Sequence, residues 1–271
     1  MMNYHWIISL IIICHFNAKG QTFQNSGAFS TSMSGLNVNN EDIWSINNNI
    51  SQLAKIKKPA LSISSFQPFL VKDFTTSSIV FGLPTKKGAF GMNFSTNGNK
   101  HLQMHNVGFG YSQKLGENIQ SGIKLNYFMI NAGDYYNKKS IISADIGFST
   151  RISNELQLGA CIKNPTFTKL SNFDDERLST NIQLAAGYEF SNELTLHTGV
   201  EKSIFYPASF LAAIEYQPTE KIFLSGGIKS NPSIASFGIS ISQNQFTICA
   251  ATQIHQFLGW SPDLSIIYQF K

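Results

Sequence analysis

Asn181–Lys202 reads NIQLAAGYEFSNELTLHTGVEK, and its alternation decides the fold. Ile182, Leu184, Ala186, Tyr188 and Phe190 share one parity, against Asn181, Gln183, Ala185, Gly187 and Glu189 on the other. After Ser191, Asn192 and Glu193 the alternation resumes, with Leu194, Leu196, Thr198 and Val200 opposite Thr195, His197, Gly199 and Glu201. A period of two over roughly ten residues is a strand with one apolar and one polar face. The turn is too short for anything but an antiparallel hairpin. In a water-soluble sandwich the apolar face would point into a core. In a transmembrane barrel it points out to lipid and the polar face lines a lumen.

Working outward, the same pattern recurs in fourteen segments, at about 59–66, 75–84, 87–96, 101–114, 118–130, 139–152, 155–163, 178–190, 193–202, 208–217, 220–229, 233–242, 245–254 and 262–271. The even count suits a single-chain barrel with both termini on the periplasmic side. Even-to-odd links are tight, as at Thr85-Lys86, Gly116-Glu117 and Ser191-Asn192, whereas odd-to-even links such as Gln67–Thr75 and Asn164–Arg177 tend to be longer. Short periplasmic turns and longer external loops are the asymmetry of an outer-membrane barrel, which a soluble sandwich has no reason to show. Leu102–Asn106 breaks parity and predicts a bulge or a strand lying outside the lipid. Tyr111, Phe148, Tyr188, Phe190, Tyr216 and Tyr268 fall near the tight turns and predict an aromatic girdle there. The final stretch, Asp263–Lys271 (DLSIIYQFK), alternates likewise and ends on the penultimate Phe270, similar to the C-terminal signature of outer-membrane barrels.

Composition agrees. Charged residues are 13% of the chain, about half the usual globular share, aromatics are 13%, and 22 residues are Phe. The formal charge of +4 is spread over single Lys and Arg residues. With no basic stripe and no aromatic-basic interleaving, nucleic acid is excluded as a partner.

Residues 1–20 read as a secretory signal peptide, with the apolar core Trp6–Cys14 (WIISLIIIC) and Ala18-Lys19-Gly20 before a cut at Gln21. Cys14 does not make a lipobox, because Ile13 stands where a small residue is needed. Residues 21–57 then form an N-terminal segment and 58–271 the barrel. Cys161 and Cys249 fall on the lumen parity of the seventh and thirteenth strands, too far apart for a disulfide.

The lumen parity is otherwise small or polar and carries Lys124, Asp145, Glu189, Glu201, Glu215 and Lys229, together with Lys163. An unpaired Lys facing lipid at the midplane would cost about 2–4 kcal/mol, so these charges are placed inward, in structural pairs. No catalytic constellation stands out: there is no GxSxG, no P-loop and no metal-ligand spacing among His101, His105, His197 and His255. Asp174-Asp175-Glu176 reads as a solvated loop tip. The expectation is a non-enzyme without cofactor or metal.

Before the first strand, Gln21–Asn40 is rich in Ser, Asn and Gly and reads as extended or coiled. Asn39–Ala54 (NNEDIWSINNNISQLA) is the one segment with helical character, capped by Asn39 or Asn40, with Ile43, Ile46, Ile50 and Leu53 recurring at three or four. From Pro59 onward no other helix is expected.

Within that segment Asp42, Trp44, Ser45, Asn49, Leu53 and Ala54 resemble the D-x-W/F-S-x-x-x-N-P-A-G-L-A motif of FadL-type barrels. The similarity is greatest to the branch containing the type IX secretion barrels of the PorV and PorQ kind. Ile50, Ser51 and Gln52 depart from it where Pro, Ala and Gly would stand. The resemblance implies an all-β, transmembrane antiparallel barrel of about 14 strands with a short N-terminal helical plug in the lumen. It further implies residence in the bacterial outer membrane, among its lipid, and either passage of small hydrophobic molecules or partnership with secretion-system proteins. Asp42, Trp44, Asn47, Asn48, Asn49 and Leu53 are then the plug and gate residues, with Trp44 and Leu53 packed in the lumen and Asn47–Asn49 bonding its polar wall.

Overall fold

The structure, a computed structural model, describes residues 26–36, 41–131, 138–169 and 177–271. The strands are β1 (Ala60–Phe66), β2 (Thr76–Pro84), β3 (Gly88–Gly98), β4 (Gln103–Lys114), β5 (Ile119–Asn131), β6 (Lys139–Arg151) and β7 (Leu156–Lys163). They continue with β8 (Asn181–Glu189), β9 (Leu194–Ser203), β10 (Ser209–Thr219), β11 (Ile222–Lys229), β12 (Ile234–Gln243), β13 (Phe246–His255) and β14 (Gly259–Gln269). All fourteen expected strands are present, and no boundary moves by more than three residues. Each pairs antiparallel with its chain neighbours, and β1 closes on β14 from Ala60↔Gln269 to Phe66↔Asp263. Closure leaves no sheet edge with unpaired N–H and C=O groups, the condition a sheet must meet to cross a bilayer.

The two faces divide as the alternation requires. Leu184, Leu196 and Leu224 are 55%, 42% and 40% exposed on the outer wall, while their neighbours Gln183, His197 and Ser225 are buried inside. The outward apolar residues run right round the barrel, from Leu61 and Ile79 through Phe109, Ile142 and Phe210 to Leu264. A continuous apolar belt of that extent is far larger than a soluble monomer tolerates. At the turn end the girdle residues make tilted or edge-on ring contacts: Tyr111 with Phe90 at 4.7 Å, Tyr188 with Phe190 at 4.8 Å, and Tyr268 with Phe246 at 4.9 Å between centroids.

The register removes one of the two alternatives expected for Leu102–Asn106, the bulge. β3 and β4 pair without interruption from Gly88↔Gln113 to Gly98↔Gln103, so Leu102–Asn106 holds no bulge. The parity breaks because Met104 turns inward to an apolar cluster of Phe128, Ile141 and Leu178, while His105 stacks outside on Phe94. The irregularity lies instead in β10, where the register shifts between Tyr216 and Thr219.

The helices differ more. The stretch expected to be extended or coiled contains a short helix, α1 (Ala28–Ser32). The single helix expected over 39–54 is two 3-10 helices, Ile43–Ile46 and Ile50–Lys55, interrupted at Asn47–Asn49. Asn39 and Asn40 lie outside the described residues; Asp42 caps the first of the two, its Oδ1 accepting from Trp44 N at 2.7 Å. Contrary to the expectation of no helix beyond Pro59, two 3-10 turns, Pro68–Leu70 and Lys72–Phe74, fill the β1–β2 loop. The signal segment 1–20 and Asp174-Asp175-Glu176 also lie outside the described residues.

Candidate functional site

The N-terminal segment lies inside the barrel and meets the wall in two ways. Its second half is held by apolar packing. Ile43, Ile46, Ile50 and Leu53 recur at helical spacing and share one buried cluster with Trp44 and with Ala60, Val80, Ala89 and Ile267 of the wall. The lumen face opposite them is kept bare by glycine: a Cβ on Gly91 would stand 2.7 Å from both Ile46 Cδ1 and Leu53 Cδ2, and one on Gly82 2.8 Å from Ile56 Cδ1. Small residues on the lumen parity are therefore sockets for this segment.

Hydrogen bonds fix its register. Trp44 Nε1 donates to Ser62 Oγ at 3.0 Å. Lys124, fully buried, donates to Asn47 Oδ1 at 2.8 Å, and Lys163 donates to Asn47 O at 2.6 Å. Asn49 Nδ2 donates to Phe148 O at 3.2 Å, and its Oδ1 caps the second 3-10 helix by accepting from Ser51 N. Asn48 Nδ2 donates to Ser26 O at 3.0 Å, tying the two halves of the segment together. Asp42 acts locally as a cap, and beside it Glu41 pairs with Lys55 at 2.7 Å.

The first half is held by hydroxyls. Thr31 Oγ1 donates to Asp263 Oδ2 and Ser64 Oγ to Asp263 Oδ1, both at 2.7 Å. Ser32 bonds Ser225, Ser34 bonds Ser236 at 2.7 Å, and Gln183 Nε2 donates to Gly35 O at 3.0 Å. The backbone itself touches β11, for a Cβ on Gly227 would stand 2.6 Å from the carbonyl carbon of Met33. Gly27 and Gly35, at φ 84° and 83°, bracket this stretch, a backbone region that L side chains avoid.

This first half partitions the lumen. Ser26, Ser30, Thr31 and Ser34 face a cavity of about 920 Å³ at the loop end. Phe29, Met33 and Leu36 face a second of about 640 Å³ at the turn end. The loop-end cavity is walled by Phe66, Phe69, Phe128, Leu178, Ile234 and Leu258, and Asp145, Lys163, Glu201 and Lys229 reach it as well. Glu201 accepts from Lys229 at 2.9 Å and from Gln183 Nε2 at 3.1 Å. Asp145 lies in register between Lys124 and Lys163 and accepts from Asn126 Nδ2 at 2.7 Å. Glu189 and Glu215 belong to the turn-end cavity, Glu189 paired with Arg151 at 3.0 Å and Glu215 3.5 Å from His197. Cys161 and Cys249 are both free and buried, on β7 and β13.

Sequence reading placed the charged wall residues but not Asp263, which holds α1, nor Arg151. It also missed the inward apolar patch of Phe128 and Ile141. A signal for that patch existed in the run Tyr127-Phe-Met-Ile130, which is apolar on both parities and so cannot be a simple lipid-and-lumen strand.

No protein-family model and no curated protein matches the chain. Solved structures do. The toluene transporter TbuX of Ralstonia pickettii aligns over 94% of this chain and 100% of its own, at 10% identity and a TM-score of 0.69. A FadL homologue of Pseudomonas aeruginosa aligns over 93% and 100%, at 11% identity and a TM-score of 0.66. The toluene transporter TodX of P. putida aligns over 90% and 98%, at 10% identity and 0.65. At such identities the likeness is one of fold, and the fold of this chain is that of the FadL-like fourteen-stranded barrels.

Proposed function

We propose that the protein is a channel of the bacterial outer membrane through which small hydrophobic molecules pass, with the N-terminal segment 21–57 as its plug. The observation that carries this reading is the pair of lumenal cavities, about 920 and 640 Å³, separated by the N-terminal segment inside a closed wall. Both are of the size that admits a small ligand, and structural neighbours include transporters of toluene. The gate residues are Asp42, Trp44, Asn47, Asn48, Asn49 and Leu53: Trp44, Asn47, Asn49 and Leu53 hold the second half of the segment to the wall, Asn48 ties it to the first half and Asp42 caps it. The role is one of passage, with no catalytic step.

Toluene is the first probe. Cells producing the protein should take up radiolabelled toluene faster than cells without it, and equal rates refute the reading. The Asp42–Ala54 motif favours a second reading, a barrel accessory to type IX secretion. Co-purification with secretion components, together with unchanged toluene uptake, would transfer the assignment there.

A further inference from the structure

We propose that the loop-end cavity takes an uncharged amphiphile, an apolar body carrying a hydroxyl head, in preference to an ionised acid; this rests on the channel reading above. The floor of that cavity includes Ser26, Ser30, Thr31 and Ser34, and its walls mix Phe66, Phe69, Phe128, Leu178, Ile234 and Leu258 with serines and asparagines, so the site is itself amphiphilic. Thr31 donates to Asp263 and Ser34 bonds Ser236, and each hydroxyl oxygen keeps a lone pair with which to accept from a hydroxyl head.

The charges lining the cavity are matched and engaged, Lys163 and Lys229 against Asp145 and Glu201. Lys163 donates to Asn47 O and Lys229 to Glu201. Asp145 accepts from Asn126 and from Asn164 N, and Glu201 also accepts from Gln183. An incoming carboxylate would leave water for a cavity whose two ammonium groups already stand beside carboxylates. To use a remaining donor of Lys229 it must lie against Glu201, and to use one of Lys163 it must lie near Asp145, groups of its own charge. Desolvating an ion without a new partner is the larger penalty, so the neutral head wins.

The test compares decanol with decanoate, one chain length with two heads, by equilibrium binding of the radiolabelled compounds to the full-length barrel in amphipol, above the pKa of the acid. Decanol should bind at least about tenfold more tightly, the discrimination expected from one unpaired buried polar group. Glu201→Gln should narrow that ratio by about tenfold, by leaving Lys229 for the carboxylate. Lys229→Met should widen it, by leaving Glu201 to repel the carboxylate. Heat-modifiable electrophoretic migration checks that each variant is folded, and either variant alone keeps the test alive. Equal or tighter decanoate binding by the wild-type protein overturns the inference and leaves the channel reading standing. Binding of neither compound overturns both. A ratio that neither variant moves overturns the part assigned to the Glu201–Lys229 pair.

Discussion

Replacing Trp44 by alanine should undock the plug without unfolding the barrel. Trp44 is 1% exposed, its indole packs against Gly27, and its Nε1 donates to Ser62 Oγ at 3.0 Å. Truncating a buried Trp costs about 3–5 kcal/mol, of which a neutral hydrogen bond accounts for about 0.5–1.5. The Ser62 hydroxyl also donates to Ile266 O at 2.8 Å, so it keeps a partner after the change. Burial of the ring therefore dominates. A loss of about 4 kcal/mol raises the undocked population about a thousandfold. Trp44→Phe keeps most of the ring and should raise it only about fivefold. The strand ladder, closed on itself from β1 to β14, does not depend on this residue. Hydrogen exchange of the purified protein reads both quantities. Amides of 42–55 should exchange far faster in the alanine variant, and those of the strands should keep their protection. Equal exchange at 42–55 in all three proteins, or loss of protection throughout the barrel, would refute the reasoning.

Gly227→Ala should act on the other half of the segment, because the new methyl meets the Met33 backbone at 2.6 Å. Overpacking of this kind costs about 1–3 kcal/mol, and faster exchange should appear at 28–36 before it appears at 42–55. Lys124→Met removes the donor to Asn47 Oδ1 and a cation from beside Asp145. It should destabilise by about 3–5 kcal/mol in denaturant unfolding, and its effect should be non-additive with that of Asn47→Ala. Leu184→Lys places a charge on the outer wall and should lower stability in liposomes by about 2–4 kcal/mol, whereas Thr195→Lys, in register with Glu189 and Glu215 at the turn-end cavity, should change it by less than about 1 kcal/mol.

The strands were legible because lipid and lumen impose opposite demands on alternate residues, and that demand is local. Gln183 beside Leu184, and His197 beside Leu196, already carry it. The N-terminal segment was legible where its own apolar period shows, at Ile43, Ile46, Ile50 and Leu53. It was not legible at Ala28–Ser32, whose AFSTS has no such period and is poor in strong helix formers. That helix exists because Asp263, Ser225 and Ser236, some two hundred residues away, bond its hydroxyls or those just beyond it. The sockets were hidden for the same reason: nothing local marks Gly82, Gly91 or Gly227 as one until the side chain or backbone filling each is known. Met104 and Phe128 show the reverse, a departure from alternation that marks where the lumen turns apolar.

The most direct measurement is the side of the wall that each parity faces. A bimane label introduced by Cys substitution at Leu184, Leu196 or Leu224, and separately at Gln183 or His197, in a background without native cysteines, should be read in liposomes. The account requires that lipid-borne nitroxide quench the first three labels and spare the other two. Labels at the leucines shielded from lipid, with those at Gln183 and His197 quenched by it, would contradict it.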